Sequence, residues 1–181
     1  MSPIRLAKPL ILGVLALSSL GGPVQAEQGT AQALMPWEGD GRLYPIGPDR
    51  VLFIGRFEGI MYVQTGGNRL DGMLFECPAI DEFSVDGSSV KSRGYCILTG
   101  QYGDTIFAEY TCDGTGPDTC KGEFKLTAGT GQFEGITGSG PIESRSVLSG
   151  MAANTSTGHT VEGIAGIAIL PELKFNIPER K

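Results

Sequence analysis

Residues 70–100 read LDGMLFECPAIDEFSVDGSSVKSRGYCILTG, and their pattern decides the fold. Asp86-Gly87 stands between two runs of alternating apolar and polar residues, the strongest short-range hairpin signal a sequence carries. A two-residue type I′ turn there sets Val85 opposite Ser88, so that paired residue numbers sum to 173. Glu82 then faces Lys91, a favourable cross-strand pair, and Cys77 faces Cys96. Met73, Phe75, Phe83, Val90 and Leu98 share the face of those cysteines, which makes it the core side. Asp81 falls on the same apolar face, which predicts a bulge or a strand end there. Pro78 also predicts a bulge, because proline cannot donate to a central ladder.

The next hairpin repeats the logic. Pairing Cys112 with Cys120 makes residue numbers sum to 232. Ile106 then faces Leu126, Ala108 faces Phe124 and Tyr110 faces Gly122, while the outer face sets Glu109 opposite Glu123 between Lys121 and Lys125. Parity thus gives one apolar and one charged face, as a half-buried strand pair requires. Four cysteines allow three connectivities, and the two hairpins favour Cys77–Cys96 and Cys112–Cys120.

Further strands follow at 51–63, with bends at Gly55 and Gly59, and at 105–112, 120–127, 132–142 (one or two short pieces), 145–153 and 160–170. Between them lie turn residues such as Gly66-Gly67-Asn68, Gly103-Asp104 and Asp113-Gly114. No long segment has a 3.6-residue apolar period, so the fold class is all-β. Short strands with regular turn signals leave an antiparallel sandwich or a closed barrel. The domain spans 49–171. Residues 27–48 read as an irregular arm, interrupted by Pro36, Pro45 and Pro48, with Trp37 pinning it to the body and a helical turn near 31–35. Residues 172–181 read as a tail.

The first 26 residues have the layout of a secretory signal peptide. Arg5 and Lys8 precede the apolar run 10–17, and Gly21-Gly22-Pro23 leads to a small-residue exit at Ala26. The run is short for a bilayer span, and no second run of about 18 apolar residues follows. A periplasmic or secreted protein without stable membrane insertion is expected, in a compartment that permits disulfides. The chain carries a net charge of −6; since the leader holds two basic residues and no acid, the remainder carries −8. Such a chain repels phosphate backbones, so nucleic acid is not an expected partner. Its 28 glycines in 181 residues exceed the usual share of about 7% and lie among apolar residues rather than in one linker.

Two stretches nearly repeat: Gly55-Arg56-Phe57-Glu58-Gly59-Ile60 and Gly131-Gln132-Phe133-Glu134-Gly135-Ile136. A functional reading makes Glu58 and Glu134 acid–base groups. A structural reading, which we favour, makes each copy a glycine corner anchored by its phenylalanine and isoleucine. No metal site is expected: His159 is the only histidine, and the cysteines lack C-x-x-C spacing. Asp113 and Asp118 flank a glycine loop without the pattern of a calcium site. Ser88-Ser89-Val90-Lys91 matches S-x-x-K but starts a strand, no G-x-S-x-G occurs, and Gly129-Thr130-Gly131 lacks the third glycine of a dinucleotide loop. No cofactor is expected. Asn154-Thr155-Ser156 fits a glycosylation acceptor. In a closed barrel the inward set Phe75, Leu98, Ala108, Tyr110 and Phe124 would line a lumen able to take a small apolar ligand, or would simply fill it.

Residues 127–140, TAGTGQFEGITGSG, resemble the glycine-rich corner of the allene oxide cyclase barrel-like proteins, and residues 94–104 and 120–127 are similar to their exported bacterial members. The resemblance covers roughly residues 50–145 and consists mostly of glycine corners. It implies an up-and-down barrel of about eight strands with an apolar lumen, often assembled as a homo-oligomer. In plant cyclases of the group a buried glutamate and nearby polar groups hold a water. Glu58 is the nearest counterpart here, without the flanking residues of a catalytic motif. Fold likeness alone assigns no activity. The leading expectation is a non-catalytic binding or accessory protein that uses its lumen or surface. The alternatives are a cyclase or isomerase acting on an apolar small molecule, and a subunit docked on a larger extracytoplasmic complex through its arm or tail.

Overall fold

The computed structural model describes residues 26–64, 69–116, 118–147 and 160–179, without the side chains of Val147 and residues 160–162. The leader before Ala26, most of the strand expected at 145–153, the Asn154 acceptor and His159 lie outside the described residues. Eight antiparallel strands close into an up-and-down barrel: β1 (Glu27–Pro45), β2 (Arg50–Val63), β3 (Met73–Ser84), β4 (Val90–Thr99), β5 (Thr105–Gly116), β6 (Thr119–Gly129), β7 (Thr137–Val147) and β8 (Thr160–Ile177). Each pairs with the next, and β8 pairs back onto β1, so no sheet edge is left open.

The stretch expected to be an irregular arm is therefore β1, which joins the first and last strands of the wall, and the expected tail is strand through Ile177. Ala31, Ala33 and Met35 alternate with exposed or half-buried neighbours and point inward, so the apolar period near 31–35 is two and no helical turn forms. Pro36 is tolerated because the register to β2 continues on both sides of it, Leu34↔Tyr62 and Trp37↔Gly59. Register shifts in the β1–β8 pair at Ala31/Ala33 and Gly39/Gly41 bend these long strands around the barrel.

The β3–β4 register follows the sum of 173, with Phe75↔Leu98, Glu82↔Lys91 and Phe83↔Val90. It is the same on both sides of Pro78, Glu76↔Ile97 and Ala79↔Gly94, so neither Pro78 nor Asp81 marks a bulge. The turn is not type I′. Ser84 N donates to Ser89 O, which leaves a four-residue loop, and Gly87 N donates back to Ser84 O. Gly87 takes φ 72° but Asp86 does not adopt positive φ, because its carboxylate accepts from Ser88 N at 2.9 Å and holds a local turn.

From Ala108 to Asp113 the β5–β6 pair departs from the expected sum by two, and across the register shift at Phe107/Ala108 by three, so that Ile106 meets Gly129 and not Leu126. Ala108↔Leu126, Glu109↔Lys125, Tyr110↔Phe124 and Cys112↔Gly122 are the partners. A shift of two preserves parity, so the inward set is unchanged. It replaces a Glu–Glu pair on the outer face with Glu109 and Lys125, 3.2 Å apart. Cys112 and Cys120 are diagonal rather than opposite, and are joined across Cα atoms 5.4 Å apart. Cys77–Cys96 is the second disulfide.

The two ends of the barrel are filled differently. At the end where β1 begins, Leu70, Met73, Leu98, Ile106, Phe133 and Ile136 are all buried to within 1%. Phe133 and Ile136 come from the second Gly-x-Phe-Glu-Gly-Ile copy, whose 3-10 turn (Gly131–Phe133) folds over this end. Asp104 anchors the turn by accepting from Gln132 N, and Thr130 Oγ1 accepts from Thr105 N. The first copy does nothing of the kind. It runs straight through β2, with Phe57 directed inward against Trp37 and Phe53.

Candidate functional site in the barrel lumen

Toward the opposite end, past Cys77–Cys96, the lumen is not filled. A partly open cavity of about 80 Å³ remains there, lined by residues of all eight strands. Its wall is aromatic and sulfur-rich: Trp37, Phe57, Phe75, Phe83, Tyr110 and Phe124 contribute rings, and all four cysteines of the two disulfides face it. Against this apolar wall stand Asp81, Ser92, Tyr110, Thr119, Ser144 and Ser146.

Three of these polar groups form a connected chain. Asp81 and Ser92 are direct cross-strand partners on β3 and β4, so their side chains leave the sheet on the same inner face. Ser92 Oγ donates to Asp81 Oδ1 at 2.5 Å and lies 3.2 Å from the Tyr110 hydroxyl. The single Ser92 hydroxyl proton thus stands between two oxygens, Asp81 Oδ1 and the Tyr110 hydroxyl, with Ser92 as the donor toward either. Gly94 makes this reach feasible. It pairs with Tyr110 across β4 and β5, and a Cβ there would come within 2.6 Å of the tyrosine ring. The ring packs over the glycine, and its hydroxyl reaches Ser92 two residues away on β4.

Asp81 is 6% exposed and is the one buried charged residue among those described. Burial in apolar surroundings disfavours the ionised carboxyl and pushes it up to about 7, against the opposing effect of the Ser92 hydrogen bond. Burial, and then the neighbouring Asp81 carboxylate, push the Tyr110 hydroxyl well above its ordinary range, so Tyr110 remains a donor. Asp81 joins no salt bridge among the described residues. The charged side chains near it in sequence, Glu82 and Lys91, leave the sheet on the outer face.

Of the residues expected to line a lumen, Phe75, Tyr110 and Phe124 do so, whereas Leu98 and Ala108 are buried in the filled core instead. The two motif glutamates are not brought together, and neither faces the lumen. Glu58 is exposed on the outer face of β2, 3.5 Å from Arg56, and Glu134 is exposed beside the 3-10 turn. On that outer face Glu38, Glu58 and Glu76 stand opposite one another across β1, β2 and β3, with Arg56 3.5 Å from Asp40, Glu58 and Glu76.

What reading by residue type missed is the pair Asp81 and Ser92, which join the expected Tyr110. Its signal was present in residues 70–100: a carboxylate with inward parity, on the register that pairs it with a serine. Chemically the arrangement offers one hydrogen-bonding end in an otherwise aromatic cavity, with no cationic side chain facing it among those described. No protein-family model, curated protein or solved structure matches this chain.

Proposed function

We propose that the chain is an exported, non-catalytic binding protein whose barrel lumen takes a small, largely apolar molecule and orients it through one polar contact. The observation that carries this reading is the Asp81–Ser92–Tyr110 chain at the wall of an aromatic cavity. A barrel of about eight strands can be wholly filled by its own side chains; here the filled part ends near the first disulfide. Small-molecule sites are concave, mostly apolar and fixed by a few convergent polar groups. Export rests on the N-terminal signal pattern, and two disulfides are compatible with it. Kinship with the allene oxide cyclase barrel-like proteins rests on the glycine corner at 127–140 and on the barrel itself. The cyclase reading loses its acid–base candidates, since Glu58 and Glu134 face outward. The docking reading loses its contacts, since arm and tail are wall strands.

The test is native mass spectrometry of the protein from an exported fraction, paired with Trp37 fluorescence, since this single tryptophan lines the cavity. A retained small molecule is expected, with a Trp37 signal that changes on its removal and is lost in Ser144→Leu, which fills the cavity. A ligand-free mass, together with no response of Trp37 to any small apolar probe, would overturn the reading.

A further inference from the structure

We infer that the lumen ligand is a small organic cation, an alkylammonium held with its charged head against Asp81 and its carbon chain among the aromatic rings. This rests on the lumen-binding reading above. A carboxyl group inside an apolar cavity is costly unless something compensates it. Among the described residues the protein supplies Ser92 and no cation. From the strands packed against Asp81 come Phe53 of β2, Ser92 of β4, Tyr110 and Cys112 of β5, Thr119 and Cys120 of β6, and Ser144 and Ser146 of β7. Tyr110 is the only other titratable group among these, and it is a neutral donor. A positively charged ligand completes the pair that the sequence leaves open.

The wall agrees with this assignment. Six aromatic rings line one cavity, and the faces of such rings attract ammonium and other organic cations. Anionic molecules such as fatty acids and phosphate esters are disfavoured by the same geometry, because Asp81 would repel them and no basic side chain among the described lining residues would receive them. The chain's net charge of −6 favours the approach of cations and disfavours that of anions. Size sets the class further. The cavity is small, about 80 Å³, which suits an ammonium head on a short carbon chain rather than a bulky ligand.

The experiment titrates the intact, oxidised protein with n-propylammonium, n-butanol and butyrate, following Trp37 fluorescence and calorimetry at pH 8 and pH 5.5. The expected result is saturable binding of the ammonium at pH 8, at least tenfold weaker at pH 5.5, and at least tenfold weaker in Asp81→Asn, with butanol little affected by either change and butyrate not bound. The pH contrast needs only the unmodified protein, so it decides the matter even if the variant misfolds. If butanol binds as well as the ammonium and neither responds to pH, lumen binding stands and the cation assignment is overturned. If none of the probes binds, both are overturned.

Discussion

At one end of the barrel Phe133, Ile136 and Leu70 share one buried core with Leu98 and Ile106; at the other, Phe57, Phe83 and Tyr110 line a cavity with a carboxylate in its wall. The same eight strands with the same inward parity build both ends. The difference lies in what caps them. The 3-10 turn after β6 supplies Phe133 and Ile136 to the first end, whereas the Asp86-Gly87 loop at the second contributes no residue to the buried core. Strand alternation decides which residues point inward, but only the end loops decide whether that interior is filled. The stable end and the binding end are thus separate parts of one wall, and substitutions in the two should behave differently.

The largest effect is expected at the filled end. Phe133→Ala removes a fully buried ring from a site with no room to collapse and should cost about 3–5 kcal/mol, read as a lowered urea midpoint. Phe83→Ala, half-buried beside the cavity, should cost less than half as much. Equal losses would mean that the two ends pack alike.

Next is the pH dependence imposed by Asp81. Its carboxyl is held at about 7 in the folded protein against an ordinary 3.8, so between those values the folded state keeps a proton that the unfolded state has released. The wild-type protein should therefore lose stability as pH rises from 4 to 7. Asp81→Asn should remove that loss. It should be close to wild type at pH 4 and more stable by roughly 4 kcal/mol at pH 8. A difference that stays constant with pH would show that Asp81 is not buried as described.

Replacing both Cys112 and Cys120 by serine releases a short loop and should cost about 2 kcal/mol by thermal or denaturant unfolding. Because both sulfurs face the cavity, it should also alter Trp37 fluorescence; an unchanged spectrum would separate the bridge from the site. The smallest effects belong to the outer wall. Glu58→Gln and Glu134→Gln should each change stability by less than about 0.5 kcal/mol and leave lumen binding untouched. Any loss of ligand in either variant would return the glutamates to the functional site.

Much of this comparison was legible in residues 70–100. A strong turn signal and two cysteines were enough to fix the β3–β4 register, because side-chain parity is a local property of two neighbouring strands. The same reasoning set Cys112–Cys120 but placed its hairpin two residues out of register, since a disulfide tolerates a diagonal arrangement and parity cannot detect an even shift. The Gly-x-Phe-Glu-Gly-Ile repeat shows a sharper limit. Six residues of nearly identical type form mid-strand wall in β2 and an end-closing turn after β6. The neighbours differ: β2 has partners along its whole length, while the second copy sits where the wall ends.

Asp81 is the clearest case of a residue read correctly and interpreted wrongly. Its parity pointed inward, and a bulge was the cheapest local way to turn a carboxylate out. The register of 173 already set Ser92 beside it, but no local rule reveals that Tyr110 of the next strand stands beyond.

By itself the sequence determined the all-β class, the alternation that sorts each strand into an inner and an outer face, and the partners of the cysteines, since each is encoded within a few residues of a turn. The tertiary structure alone decided that Glu27–Pro45 closes the sheet against Thr160–Ile177, that one end is filled while a cavity remains toward the other, and that the inward carboxylate stays in the wall without a bulge. Closure joins strands more than 100 residues apart, and a cavity is the space left where no side chain reaches; neither is written in any one stretch of chain.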